Sequence, residues 1–275
     1  MSAALSFAGR AQRWARLSWA AKLRWLAVKL SPSRVFGGND IFQLSFPPVS
    51  QSHFGSHPEH LTLFSRFTNG SRWNAPDGSR LWAFILNIKE VMADGIPGDF
   101  AELGVHRGNT AAVLWHYAKK HDRNAYLFDT FEGFDARDLQ GVDASRPVEF
   151  ADTSMEIARR IVGADADGSE GCIFVKGYFP DSLKPEHGER TYAVVSIDCD
   201  LYAPALSALE FFYARMPVGG IFFIHDYSSG WWPGLRAAVR EFCAKTGEQI
   251  VLLPDNSGSV VLRKSFKTGA PGMNG

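Results

Sequence analysis

The sequence predicts an α/β protein with a mainly parallel sheet, on three observations. Short apolar runs alternate with stretches of helical periodicity over most of the chain. Strands separated by helices require crossover connections, which are right-handed and leave the strands parallel. Several of the apolar runs stop abruptly at glycine or at ionisable residues, as strands do where they feed the ligand-binding rim of such a sheet.

Composition sets the outer limits. The chain has 275 residues, 45% of them hydrophobic and 21% charged, which is enough apolar material for a packed core and too little charge for disorder. Lys+Arg 29 balance Asp+Glu 29, so the chain lacks the basic surface that displaces counterions from phosphates, and a nucleic-acid partner is not expected. Cys172, Cys199 and Cys243 are odd in number and far apart, which argues against a disulfide framework or a zinc knuckle and fits a reducing cytoplasm.

The zero net charge hides a split. No acid precedes Asp40, and Arg10, Arg13, Arg16, Lys22, Arg24, Lys29 and Arg34 give the first 39 residues +7, leaving −7 for the rest. Residues 1–34 are read as a basic helical arm. Trp19, Leu23, Leu26 and Leu30 fall on one face, Trp14, Leu17, Trp25 and Val28 on a second, and Ser31-Pro32 ends the helix. Its apolar runs fall short of the ~20 residues that span a bilayer. Two apolar faces call for two partners: the protein's own body, and either a second subunit of a homo-oligomer or a membrane surface contacted peripherally. Residues 35–77, rich in Phe, Ser, Pro and Gly, are read as an irregular connector, 78–267 as the main domain and 268–275 as a flexible tail.

Within the domain, Leu81, Ile85, Ile88 and Met92 mark a helix over 78–93, closed by Asp94-Gly95. Strands are predicted over 99–103, 125–129, 172–175, 193–198, 220–225, 249–253 and 259–263. Helices are predicted over 109–120, 154–162, 203–216 and 233–246. Pro254-Asp255-Asn256-Ser257-Gly258 makes a hairpin of the last two strands.

The chemistry is sought where strands end. The first ends in Glu102-Leu-Gly104-Val-His-Arg-Gly108, a glycine turn leading into a helix. Its spacing is G-x-x-x-G, not the G-x-G-x-x-G of a dinucleotide site. A carboxylate at Glu102 repels a pyrophosphate and attracts an amine or sulfonium, which favours S-adenosylmethionine over a nicotinamide cofactor. The second strand ends at Asp129, where such sheets place a carboxylate on ribose hydroxyls. After the third, Tyr178 or Phe179 either faces an adenine ring or belongs to an ordinary turn before an Asp181 N-cap. The fourth and fifth strands end in Asp198-Cys-Asp200 and His225-Asp226. Acids brought to one rim repel unless something positive lies between them, and oxygen ligands suit Mg²⁺ or another hard divalent ion. Asp165-Ala-Asp167-Gly168 imitates a calcium loop but has Lys176 at the twelfth position, so it is read as a turn. His53, His57 and His60 have ligand-like spacing in a Ser/Pro-rich stretch and are read as a solvated loop.

Together these motifs resemble the macrocin O-methyltransferase family. The matching residues run from Gly95 to Gly108, Phe128 to Phe134, Ser196 to Tyr202, and Gly219-Gly220 through Tyr227, in order and at family-like spacing between about Leu63 and Lys264. The resemblance implies a Rossmann-like class I methyltransferase, a seven-stranded sheet with the last strand antiparallel, acting with S-adenosylmethionine on a hydroxyl of a sugar-containing small molecule. It also implies that Glu102, Gly104 and Gly108 hold the methionine part of the cofactor, with Asp129 on the ribose. It implies too that Asp198 and the acids after the fifth strand, here Asp226, hold a divalent metal, Mg²⁺ by default, to which His225 is added as a candidate ligand of this chain; Tyr178 and Asp198 are read as further candidate cofactor contacts. The basic arm lies outside it. Two positions depart from the family pattern. His225 stands where the family commonly has Asp, so that either the metal is held differently or His225 is the general base in place of Asp198. His106 stands where the family has Trp. A cofactor-binding scaffold docking through the arm is the non-catalytic alternative, disfavoured by the clustered acids.

Overall fold

A computed structural model describes residues 19, 57–71, 74, 77–164 and 169–265. The chain divides into two compact units, Met1–Val49 and Ser50–Gly275, and the fold described here is that of the second. The arm apart from Trp19, residues 268–275, read above as a tail, and residues 165–168, read above as a turn, lie outside the described residues.

The order of elements is α1 (His60–Phe67), α2 (Gly78–Ala93), β1 (Asp99–Leu103), α3 (Asn109–Lys120), β2 (Ala125–Asp129), α4 (Met155–Val162), β3 (Cys172–Lys176), α5 (Pro185–Gly188), β4 (Tyr192–Ile197), α6 (Tyr202–Arg215), β5 (Ile221–Ile224), α7 (Pro233–Thr246), β6 (Val251–Leu252) and β7 (Val260–Arg263). The strands form one seven-stranded sheet in the order β3-β2-β1-β4-β5-β7-β6. The first five strands are mutually parallel. β7 runs antiparallel to β5 and to β6, as the hairpin reading expects.

The central strands β4 and β5 are buried along their whole length because helices cover both faces of the sheet. Leu81, Ile85 and Ile88 of α2 pack with Val113 and Leu114 of α3 on one face. Leu209 and Phe212 of α6 pack with Leu235 and Val239 of α7 on the other. Local signals set the helix ends: Asp77 accepts from the Arg80 N–H at the start of α2, Ser154 from Ile157 at the start of α4, and Pro233 opens α7, which Gly247 closes in a left-handed conformation.

One stretch differs from expectation. Within the connector read as irregular, α1 buries His60, Leu63 and Phe67 on one face. His60 stacks on Trp82 of α2 with ring centroids 4.1 Å apart, and His57 meets the same indole edge-on at 5.8 Å. These two histidines are packing groups around Trp82, not the solvated loop that the Ser/Pro content predicts.

Candidate active site

The sheet's hydrogen bonding continues past the strand ends. Gly104 N donates to Phe128 O at 3.0 Å, Asp198 N to Leu103 O at 2.9 Å and His225 N to Ile197 O at 3.0 Å. The residues that leave β1, β4 and β5 therefore start at one level, on one rim. The strand order reverses between β1 and β4, the crevice where open α/β sheets bind ligands.

Glu102 is fully buried and lies in register with Ser196 across the β1–β4 pair. Ser196 Oγ donates to Glu102 Oε1 at 3.2 Å, while Oε2 has no hydrogen-bond partner among the described residues. Burial, reinforced by Asp198, pushes its pKa well above the usual carboxylate range. A carboxyl in that state gains most from a cation placed beside it, so it fits the cationic methionine part of S-adenosylmethionine.

Gly104 has φ +91°, and a β-carbon there would stand 2.0 Å from Asp198 O, so only glycine lets the turn lie on the end of β4. Gly108 is required for a different reason. Its β-carbon would meet Ala158 O and Val162 Cγ2 of α4 at 2.9 Å, so helix packing accounts for it. Asp129 accepts the backbone N–H groups of His106 at 2.8 Å and Phe131 at 2.6 Å, which locks the glycine turn to the end of β2. Tyr178 donates its hydroxyl to Asp138 at 2.7 Å and carries the Arg137 guanidinium 3.6 Å from its ring centre, so one aromatic face is taken. Phe179 is buried in the core against Phe128 and Phe212 and is not free to meet a ligand.

The acids do converge. Asp198, Asp200, His225 and Asp226 each offer one ligand atom, all within 4.8 Å of one another. His225 Nδ1 lies 2.8 Å from Asp198 Oδ1 and 2.8 Å from Asp226 Oδ2. Burial and Arg80 oppose the charge on this imidazole, yet its two carboxylate partners prevail and its pKa is pushed up to about 10. Burial likewise works against ionised Asp198, and His225 and Arg80 hold it below the usual range. Asp200 is driven well above that range by burial and by Asp198 and Asp226, and its Oδ1 has no hydrogen-bond partner among the described residues. The positive group between the acids is thus His225 itself. A hard divalent ion also fits this set, because three carboxylates and an imidazole surround one point and one buried carboxylate oxygen remains unsatisfied. Asp200 and Asp226 adopt left-handed backbone at φ +64° and +58°, as does His106 at +47°. Such strain gathers at functional sites.

Two groups of residues escape the sequence motifs. The first is Arg80 on α2, buried, with Nη1 3.8 Å from Asp198 Oδ2. The second ties down the connection between β2 and β3. Asp152 lies 2.9 Å from His106 Nε2 and 3.6 Å from Arg107 Nη1, and the Thr153 hydroxyl donates to His106 O. Farther back, fully buried Asp143 accepts the Tyr202 N–H of α6 at 2.8 Å. Phe134 and Phe150 pack edge-on at 5.2 Å and both meet Trp232, the residue that precedes α7. The connection is therefore fixed at one end to the glycine turn and at the other to the helices that follow the acid-bearing strands. The only advance sign of this was its length.

The family described as Macrocin-O-methyltransferase (TylF) matches residues 78–254. The chain is 28% identical over 169 residues to 8-demethyl-8-(2,3-dimethoxy-alpha-L-rhamnosyl)-tetracenomycin-C 4'-O-methyltransferase of Streptomyces olivaceus, a match covering 58% of this chain and 63% of that protein. It is 29% identical over 168 residues to demethyldecarbamoylnovobiocin O-methyltransferase of Streptomyces niveus, with the same coverage. The matched segment thus spans less than two thirds of the length of either relative. Among solved structures, the O-methyltransferase NovP superposes with a TM-score of 0.59 at 26% identity, over 68% of this chain and 80% of NovP. The fold is that of the class I methyltransferases.

Proposed function

The chain belongs to the macrocin O-methyltransferase family, and from that premise we propose that it methylates a hydroxyl of a sugar or glycosylated small molecule with S-adenosylmethionine, assisted by a divalent ion. The observation that carries the reading is the convergence of Asp198, Asp200, His225 and Asp226 on one point beside the Glu102 turn. The acceptor class follows the relatives, one of which is named for methylating a rhamnosyl tetracenomycin.

S-adenosylmethionine supplies an electrophilic methyl on a sulfonium, and a divalent ion supplies Lewis acidity that lowers the pKa of a bound hydroxyl. The chain does the rest. Glu102 receives the cationic methionine part, Gly104 lets the turn approach the end of β4, and Asp129 receives the ribose. Asp198, His225 and Asp226 would hold the ion, with Asp200 as a fourth donor. Asp198 Oδ1 takes the hydroxyl proton, and the rim holds oxygen and methyl at near-attack distance.

A second reading dispenses with the metal and makes His225 the base in its neutral form, which its raised pKa of about 10 makes the minor species near neutrality, so that turnover under this reading rises with pH toward 10. It is favoured by the pairing of one imidazole nitrogen with two carboxylates at 2.8 Å, since general-base histidines are oriented by such carboxylates. Methyl transfer to rhamnosylated and free rhamnose acceptors, assayed with and without excess chelator, separates the two. Loss of turnover in chelator, restored by Mg²⁺, supports the metal; full turnover in chelator removes it and leaves His225. The basic arm is assigned to subunit or anionic-membrane contact, and deletion of residues 1–34 with measurement of oligomer size and liposome binding tests that role.

A further inference from the structure

We propose that Arg80 is a positioning residue of this reaction, holding Asp198 in the orientation in which Oδ1 faces His225 and the rim. The proposal rests on the methyl-transfer reading above and concerns a residue of α2 outside every strand-end motif.

The Arg80 side chain is 5% exposed, and a charge at that depth is tolerated only where opposite charges and polar partners surround it. Its anchors lie on three sides. The Arg80 N–H donates to Asp77 Oδ1 at 3.2 Å, and Nε stands 3.6 Å from Asp77 Oδ2. Nη2 donates to Asn74 Oδ1, and Asn74 Nδ2 in turn donates to Phe67 O at 2.8 Å. The Phe67 ring centre lies 5.0 Å from the guanidinium carbon, within cation–π range. Asp77 also accepts the Asn256 N–H from the hairpin that joins β6 to β7. The planar fork is thus held by α1, by the turn before α2 and by α2 itself. Its remaining nitrogen, Nη1, lies 3.8 Å from Asp198 Oδ2, an ion pair rather than a hydrogen bond.

The consequence for Asp198 is a division of labour between its oxygens. Oδ2 is drawn to a fixed cation inside the protein, and Oδ1 is left 2.8 Å from His225 Nδ1. Removing the guanidinium releases Oδ2 from that attraction. A lysine keeps the charge without the fork and cannot serve both Asn74 and Asp198.

Charge and position predict opposite signs for cation binding. Deleting a positive charge beside an acid cluster strengthens binding of a divalent ion by field alone. Deleting a positioning group weakens it, as loss of outer-shell partners does at metal sites.

The test uses the full-length protein and its Arg80→Met and Arg80→Lys variants, with Mn²⁺ alone titrated by electron paramagnetic resonance and crystal structures of wild type and Arg80→Met. The expected result is Mn²⁺ binding weakened about tenfold in Arg80→Met, with Asp198 turned away from His225 and Arg80→Lys intermediate. The kcat for methyl transfer falls about tenfold or more while the cofactor KM changes by less than about threefold. Mn²⁺ binding as tight as wild type or tighter, with Asp198 unmoved, overturns the proposal. Should Arg80→Met fail to fold, Arg80→Lys carries the same readouts. A wild type that transfers no methyl counts against the reaction reading, and one that binds no Mn²⁺ counts against its metal-assisted form. Arg80 is then decided by the crystal structures: a turned Asp198 upholds its role, an unmoved one ends it.

Discussion

The Cα of Gly104 rests on the main-chain carbonyl of Asp198, so that a β-carbon at Gly104 would stand 2.0 Å from that oxygen. The turn beside the cofactor site and the acid proposed to take the proton therefore share one backbone contact. A methyl group there must displace Asp198 or the turn, and at φ +91° it adds backbone strain of about 1 kcal/mol. Gly104→Ala is expected to weaken binding of the demethylated cofactor product about tenfold or more and to reduce turnover further, read by calorimetry and a methyl-transfer assay. Wild-type affinity in that variant would show that the turn gives way more easily than this contact allows.

Asp198→Asn separates chemistry from folding. Asparagine keeps the shape, and its amide can still meet His225, but it cannot take a proton. Turnover is expected to fall by about 10²–10⁴ while the demethylated product binds within a few-fold of wild type. A variant that turns over at the wild-type rate removes Asp198 from the proton-transfer step in favour of His225.

Asp143 and Gly234 form the rear anchor of the β2–β3 connection. Asp143 caps Tyr202 N at the start of α6, and a β-carbon at Gly234, the second residue of α7, would lie 2.1 Å from its Oδ2. Asp143→Ala should cost about 1 kcal/mol as a lost cap, and Gly234→Ala more, because a buried carboxylate must move. The double variant is expected to be clearly less destabilised than the sum of the two, since removing Asp143 makes room for the new methyl. Thermal unfolding of the four proteins measures this; strict additivity would mean that the two residues do not share the site.

Much of the domain was legible because its signals are local. Pro233 and Gly247 bracket α7 at the positions where helices start and stop, and the predicted bounds of 233–246 are those observed. The acids at Asp198 and His225-Asp226 stood out because an apolar strand that ends in charge leaves little alternative to a rim. What escaped depends on contacts between distant segments. Arg80 sits on an amphipathic helix, where a lone arginine reads as a solvent-facing residue, and only the buried Asp77 and Asn74 and the half-buried Asp198 around it show otherwise. Helix α1 spans two turns, too short for its His60, Leu63 and Phe67 spacing to stand clear of a Ser- and Pro-rich setting. Phe179, a candidate for the adenine ring, proved to be a core residue because aromatic content alone does not tell a ligand wall from packing.

Glu59, just ahead of α1, gives a dependence on pH that is independent of the active site. Its Oε1 accepts from the Tyr117 hydroxyl at 2.9 Å and from Lys89 Nζ at 3.3 Å, joining the start of α1 to α3 and α2. Partial burial pushes its pKa up, but a backbone N–H, Tyr117 and Lys89 outweigh it and hold the value at about 2, against 4.5 for an ordinary Glu. The folded-state pKa is the depressed one, so the stabilisation is fully present above pH 4.5 and is lost as pH falls toward 2. Glu59→Gln is therefore expected to be less stable than wild type by on the order of 2 kcal/mol near neutrality. Denaturant unfolding at pH 7, 5, 4 and 3 should show the two proteins converging over the last two steps. A gap that stays constant down to pH 3 would mean that the Glu59 charge contributes nothing and that the loss in Glu59→Gln comes from altered packing against Tyr117.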